Sequence, residues 1–423
     1  MAFLTFVVAA FVAQAGAAPQ APQPTTPDGC VKAVRDYTNT QQRALKQVTA
    51  EALKKIDTDK QALARACAAQ FSPATIGPAD LRALIALYGE SAQPELAKAA
   101  LDRALSMKDL PANNRAEVLS QAVQSSLREP KSPERNARIE GYIDTLDKLD
   151  CDIDLKMTAH ARMNGYYRGD DIDDGIIKHS TWLIENARAF TPEQRTRYGT
   201  SIVIAHINMA EALAGRGQND RAVQLLKSAK DDWRDVRNVS ALVDPVLARY
   251  ALVGTAGAPI RAPRWLNAAA NTTIPMTGAV TLLEFTAHWC GPCKESYPGI
   301  NRLLAKYGPK GFRVVLATEL YGYFGQERPL TPEAEYERDR DYWAHEVPKV
   351  PVAIADQRAL PVRNADGSYS ATGSPNDKAY QVGGIPQIQI LDKQGRIRLI
   401  MVGYDDVNER ALGALIDKLL KEK

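Results

Sequence analysis

Hydrophobic positions divide this chain into two regions with different periods. From about Asp28 to Val253 they recur at spacings of three and four, as on the buried face of an amphipathic helix, and no stretch alternates convincingly as a strand does. Leu81, Leu84, Ile85 and Tyr88 form one such face. After Gly89 and Pro94 a second runs through Leu96, Ala100, Ala104 and Leu105, so the pair predicts a helical hairpin. A similar pair follows, with Ile202, His206, Met209 and Leu213 on the first helix, a turn from Gly215 to Asp220, then Ala222, Leu225, Leu226 and Ala229. Tyr166 to Asp170 reads as the turn of another. Beyond residue 258 the period changes. Val280 to Ala287 is a short apolar run suited to a strand covered on both faces, and Tyr297, Ile300, Leu303, Leu304 and Tyr307 then return to helical spacing. Strands are also expected at 312–318, 350–354, 387–391 and 397–402, and helices at 332–345 and 406–420.

The chemistry concentrates where strand gives way to helix. Trp289-Cys290-Gly291-Pro292-Cys293 places two thiols one helical turn apart at a helix start, where the N-terminal dipole stabilises the thiolate of Cys290. Cys290 is the expected nucleophile and Cys293 the resolving thiol, the two forming a redox-active disulfide. Glu284, in the preceding strand, is expected to lie buried beside the dithiol with its pKa raised, and to accept the proton of Cys293.

These residues resemble the thioredoxin superfamily. Glu284 stands six residues before Cys290, Lys294 follows Cys293, and Pro298 lies five residues beyond it. Gly383-Gly384-Ile385-Pro386-Gln387-Ile388 resembles the loop whose cis-proline packs against the dithiol. The resemblance implies that Ile385 presents its backbone to an extended substrate and that Pro386 keeps an N–H away from the sulfurs. Trp289, Gly291, Pro292 and Ile385 are the expected substrate-binding residues. The long stretch between 319 and 377, together with an export signal, resembles the TlpA-like branch of exported thiol-disulfide oxidoreductases, over residues 258–423. Members of that branch often carry Glu three residues after the second cysteine; this chain has Ser296 there and Glu295 beside it.

The expected fold class is therefore an all-α helical-repeat domain followed by an α/β thioredoxin-like domain, a central mixed sheet flanked by helices. The helical pairs resemble tetratricopeptide repeats, although their glycines at 89, 169 and 217 do not keep that family's period of about 34 residues. The expected organisation is a signal peptide at 1–17, a flexible leader at 18–27, the helical domain at 28–253, a linker at 254–257 and the redox domain at 258–423, with its insertion at 319–377.

The signal rests on the apolar run from Phe3 to Ala13 and the small residues Ala15-Gly16-Ala17, a run too short to span a bilayer. Export to the periplasm or cell envelope, or secretion, follows from it. Five cysteines leave Cys30, Cys67 and Cys151 outside the redox motif, and Cys30 with Cys67 is the preferred structural disulfide. A formal net charge of +3, scattered along the chain, gives no basic stripe and no nucleic-acid partner. Neither a metal nor a cofactor is expected, since the cysteine pair lacks a second ligand pair. The expected activity is disulfide exchange with protein substrates, in the reducing direction, with electrons from another envelope dithiol. The alternatives are a helical-repeat adaptor whose thioredoxin-like domain only docks, or a peroxiredoxin-like peroxidase.

Overall fold

A computed structural model describes residues 24–45, 49–108, 110–169, 173–346, 350–356, 373–404 and 406–422. The expected signal peptide, most of the leader, Asp170 and residues 347–349 and 357–372 of the insertion lie outside these. The described residues form two compact units, Met1–Ala159 and His160–Lys423.

The first unit is helical: α1 (Pro27–Ala44), α2 (Ala50–Ala68), α3 (Pro78–Glu90), α4 (Pro94–Ser106), α5 (Ala112–Ser126), α6 (Pro133–Asp147) and the start of α7 (Ile153–Gly169). Local chemistry fixes where the helices begin. The side chains of Thr26, Thr49 and Ser132 accept N–H groups of the first turns of α1, α2 and α6, and proline opens α1, α3, α4 and α6, where its missing N–H costs nothing. α3 and α4 form the expected hairpin. Leu81, Leu84 and Leu87 of α3 pack with Leu101 and Val118 around a disulfide between Cys30 and Cys67, whose Cα atoms are 5.9 Å apart. That pairing is the expected one. It leaves Cys151 as the free thiol, with its pKa raised by burial.

The second unit continues with α8 (Asp173–Asn186), α9 (Pro192–Gly215), α10 (Asn219–Asp232) and α11 (Val239–Tyr250). α9 and α10 make the second expected hairpin, with Gly217 in its turn at φ +75°. Tyr166 to Gly169, expected as a turn, are instead the last residues of α7. Strands follow: β1 (Ile260–Arg261), β2 (Arg264–Leu266), β3 (Thr273–Ile274), β4 (Val280–Phe285), β5 (Phe312–Glu319), β6 (Val352–Ala355), β7 (Gln387–Leu391) and β8 (Ile397–Val402). Between and after them lie α12 (Gly291–Tyr307), α13 (Pro332–Glu346), α14 (Pro375–Ala379) and α15 (Asp406–Lys421).

Six strands make one mixed sheet in the order β2-β6-β5-β4-β7-β8. β4, β5 and β6 run parallel, while β7, β8 and β2 are antiparallel to their neighbours. All six residues of β4 are buried, as its unbroken apolar pattern requires of a strand in mid-sheet. This is a thioredoxin-like sheet with helices on it. β2, and the small β1–β3 pair, were not legible in the sequence, being two or three residues long.

Secondary structure changes from helix to strand after Tyr250, but the compact units divide within α7. The reason is contact: α9 packs on β8, and Arg249 of α11 donates from Nε to the Gln381 carbonyl at 3.1 Å. Residues 254–257, expected as a linker, are hydrogen-bonded to the strand and turn residues of the C-terminal part. The N–H of Gly254 meets the Ile397 carbonyl at 2.7 Å, and that of Gly257 meets the Gly395 carbonyl at 2.7 Å. Gly257 also sits so close to Leu391 that a Cβ there would lie 2.3 Å from its Cδ2.

Candidate functional site

β4 ends at the sheet's C-terminal edge and delivers the chain into the loop that carries the cysteines. Ala287 accepts the N–H of Cys290 at 3.0 Å, and Cys290 is the N-cap of α12. Its sulfur accepts the N–H of Cys293 at 3.2 Å, the role a serine or aspartate oxygen plays at other helix starts. The two sulfurs are joined in a disulfide with Cα atoms 5.3 Å apart, and both cysteines are buried. Gly291 and Pro292 are exposed in the first turn. Trp289 is 45% exposed, the most exposed large apolar side chain among the described residues of the second unit, and meets the ring of Tyr321 edge to face at 5.3 Å. It is a large apolar group held at the surface beside the cysteine pair.

Glu284 is fully buried, paired across the sheet with Leu316 and Ile388. Burial raises its pKa to about 8, while a hydrogen bond from Ser296 holds it lower than burial alone would. The Ser296 hydroxyl lies 3.0 Å from Glu284 Oε1 and 2.7 Å from the Cys293 carbonyl oxygen. Oε2 of Glu284 has no partner among the described residues. Position 296, where the resembled branch often carries an acid, thus holds the hydroxyl that joins the buried acid to the cysteine turn. Glu295 points to solvent.

The Ile385–Pro386 peptide is cis. Phe285 pairs with Gln387 across β4 and β7, so Pro386 stands one register step beyond the ladder, opposite Thr286 at the root of the cysteine loop. Side chains fix this turn: Gln387 and Gln389 donate to the Tyr380 carbonyl at 3.0 and 3.3 Å, and the Pro386 carbonyl accepts the N–H of Gly403 at 2.9 Å. Ile385 lies half-buried outside the ladder. A cleft of about 360 Å³ runs between the two loops, lined among others by Phe285, Trp289, Tyr321, Val382, Gly384 and Ile385. Of the eight residues expected to act here, Trp289 and Ile385 line this cleft. Cys290 and Cys293 share one apolar cluster against which Ile385 packs.

The support of this site was not legible in the sequence. Arg249, almost fully buried, pairs its Nη1 with Glu211 Oε1 at 2.6 Å while its Nε holds Gln381, five residues before the cis-proline. His288 is buried too. Its Nδ1 lies 3.3 Å from Asp339 Oδ1, its ring stacks on Phe324 at 4.7 Å, and Tyr321 and Tyr323 meet it edge to face. Glu335 accepts the N–H groups of Tyr321 and Gly322, each at 2.6 Å. Burial pushes the pKa of both Asp339 and Glu335 up. Only the adjacency of His288 to the motif signalled any of this.

A larger cleft, about 1040 Å³, lies in the first unit, but its charges are largely paired with one another: Lys60 with Asp57 and Glu90, Arg128 with Glu90, Arg138 with Glu129. Among the described residues no helix is long and apolar enough to cross a membrane.

No protein-family model matches the chain, and no curated protein does. Among solved structures it is similar to a protein from Chlorobium tepidum provisionally assigned as the thiol:disulfide interchange protein DsbE, at 24% identity over 40% of this chain and 97% of that one, with a TM-score of 0.29. It is similar also to StoA from Bacillus subtilis, at 17% identity over 37% of this chain and 96% of that one, with a TM-score of 0.26. A third is the thioredoxin domain of a thiol-disulfide oxidoreductase from Bacteroides vulgatus, at 13% identity over 40% and 98% of the two chains, with a TM-score of 0.27. By its own strand order and the placement of α12, the C-terminal part of this chain has a thioredoxin-like fold joined to an all-helical N-terminal part.

Proposed function

We propose that this protein is an exported thiol-disulfide oxidoreductase that reduces disulfides in protein substrates. The observation that carries the reading is the joint placement of Cys290 at a helix N-cap, Cys293 one turn on, and an acid of raised pKa buried beneath them. In the reduced protein the Cys290 thiolate, favoured by the helix N-terminus, attacks one sulfur of a target disulfide. That S–S bond breaks, a mixed disulfide forms, and the first target thiolate leaves. Cys293 then gives its proton to the Glu284 carboxylate and attacks Cys290 Sγ, releasing the second target thiolate. Two electrons pass to the target, and the Cys290–Cys293 disulfide is the product. Ile385 offers its backbone to an extended substrate segment in the cleft, Pro386 presents no N–H to the sulfurs, and Trp289, Gly291 and Pro292 form the apolar rim.

Export is supported by the second disulfide, Cys30–Cys67, which lies in the helical first unit and suits an oxidising compartment. The electron donor would be another envelope dithiol. Reduction rather than oxidation is supported by Gly291-Pro292, which resembles the dipeptide of reducing members. An equilibrium titration of the Cys290/Cys293 couple against glutathione tests the direction: related couples span about −270 to −120 mV, and the reducing end is expected. Insulin reduction by dithiothreitol should be accelerated by the protein. No acceleration would favour the adaptor reading.

A further inference from the structure

Beside the dithiol, and unused by disulfide exchange, three titratable side chains meet inside the protein. His288, Glu335 and Asp339 each place a donor atom within 4.8 Å of the other two. We propose that they form a binding site for one divalent transition-metal cation of the zinc class, held by one imidazole and two carboxylates.

The sequence builds this convergence from two elements. Glu335 and Asp339 are four residues apart on α13, so both carboxylates leave the same face of the helix. His288 comes from the loop between β4 and α12. All three are buried, at 5%, 0% and 1% exposure for His288, Glu335 and Asp339. Two carboxylates brought out of water against one imidazole need compensation. The direct contacts supply little: His288 Nδ1 is 3.3 Å from Asp339 Oδ1, past the usual hydrogen-bond range, and neither Asp339 oxygen accepts a hydrogen bond among the described residues.

Charge counting separates two ways of closing the cluster. A protonated His288 neutralises one carboxylate, and the other must then take up a proton, as burial favours for both acids, or rest on backbone N–H groups, which only Glu335 has. A divalent cation with neutral imidazole neutralises both. The donor set is the mixed nitrogen and oxygen set that zinc accepts, and three protein ligands leave further positions open. The surroundings are those of a metal site as well. Both oxygens of Glu335 are fixed by the N–H groups of Tyr321 and Gly322, which orients the carboxylate and leaves each oxygen a second lone pair. Phe324, Tyr321 and Tyr323 close an aromatic wall around the imidazole. The cysteines take no part, since their sulfurs are bonded to each other. A cation here would tie the insertion helix α13 to the residue before Trp289, bracing the cysteine loop from behind.

The test uses the full chain without a histidine tag, with both disulfides formed and Cys151→Ser in place, so that no thiol can bind metal. After chelator extraction, zinc is titrated against a chromophoric competitor, and the loaded protein is examined by X-ray absorption at the zinc edge. One equivalent should bind, with nitrogen and oxygen ligands, imidazole scattering and no sulfur. Asp339→Asn and Glu335→Gln, which preserve volume, should each weaken binding by about 100-fold or more, with unchanged circular dichroism. Substoichiometric zinc, sulfur in the shell, or unaltered affinity in both variants would overturn the proposal and leave a proton-bridged histidine–aspartate pair. The readout does not depend on redox activity.

Discussion

The hydroxyl of Ser296 stands between two acceptors, Glu284 Oε1 at 3.0 Å and the Cys293 carbonyl oxygen at 2.7 Å, and it has one hydrogen to give. While Glu284 is protonated, the acid can donate to Ser296 and Ser296 to the carbonyl, so both contacts are hydrogen bonds. When Glu284 ionises, the serine hydrogen turns to the carboxylate in a charge-assisted bond. That charge-assisted bond outweighs the contact given up at the carbonyl, so Ser296 favours the ionised acid and holds the Glu284 pKa down, against burial, which holds it up.

Ser296→Ala should then move Glu284 toward a higher pKa and make it a scarcer base near neutrality. In single-turnover oxidation of the reduced protein by insulin, the rising limb of the pH–rate profile should shift to higher pH, with the rate at pH 7 about three- to tenfold lower. An unchanged profile would separate Ser296 from the proton transfer.

Glu284 also makes the stability of the oxidised protein depend on pH. Its folded pKa is raised to about 8 from an ordinary 4.5, so the folded state holds the proton more tightly than the unfolded chain. The resulting stabilisation is fully present below about pH 4.5 and is lost as pH rises through about 8, a span on the order of 3 to 5 kcal/mol. Glu284→Gln removes the titration. In urea denaturation of the oxidised proteins, the wild type should lose that much more stability than the variant between pH 5 and pH 9. Parallel curves would mean that the acid is not buried as described.

The buried pair Arg249–Glu211 links the helical segment to the cis-proline loop. Arg249→Met strands Glu211 with a weaker set of partners and frees Gln381. Stability of the second unit should fall by about 3 to 5 kcal/mol. At a temperature where the variant is still folded, KM for a disulfide-containing peptide should rise more than kcat falls, because the loop that receives substrate loosens while the dithiol and Glu284 stay in place. A pure kcat effect would contradict this assignment.

How far the sequence exposes this site follows from range. Cys290, Cys293 and Glu284 lie within ten residues of one another, and an apolar strand followed by helical spacing is enough to place them. Ile385 and Pro386 are remote, and were legible only because the loop resembles a known one. The Cys30–Cys67 bridge was legible as two cysteines in one local helical segment. His288 with Asp339, and Arg249 with Gln381, are contacts that only the tertiary fold creates, and neither has a periodicity that marks it beforehand. The same limit explains the boundary: nothing in the apolar pattern of α9 announces that one face packs on β8 rather than on another helix. Residues 254–257 read as a linker from their glycines, yet Gly254 takes a left-handed φ of +88° and Gly257 lets the backbone approach Leu391 and the turn between β7 and β8.

The central claim is that Cys290 attacks and Cys293 resolves. The most direct measurement is mass spectrometry of the Cys293→Ser protein, reduced and then mixed with insulin. A one-to-one disulfide adduct through Cys290, released by dithiothreitol and absent from Cys290→Ser, is the predicted result. No adduct, or an adduct mapped to Cys151, would contradict the account.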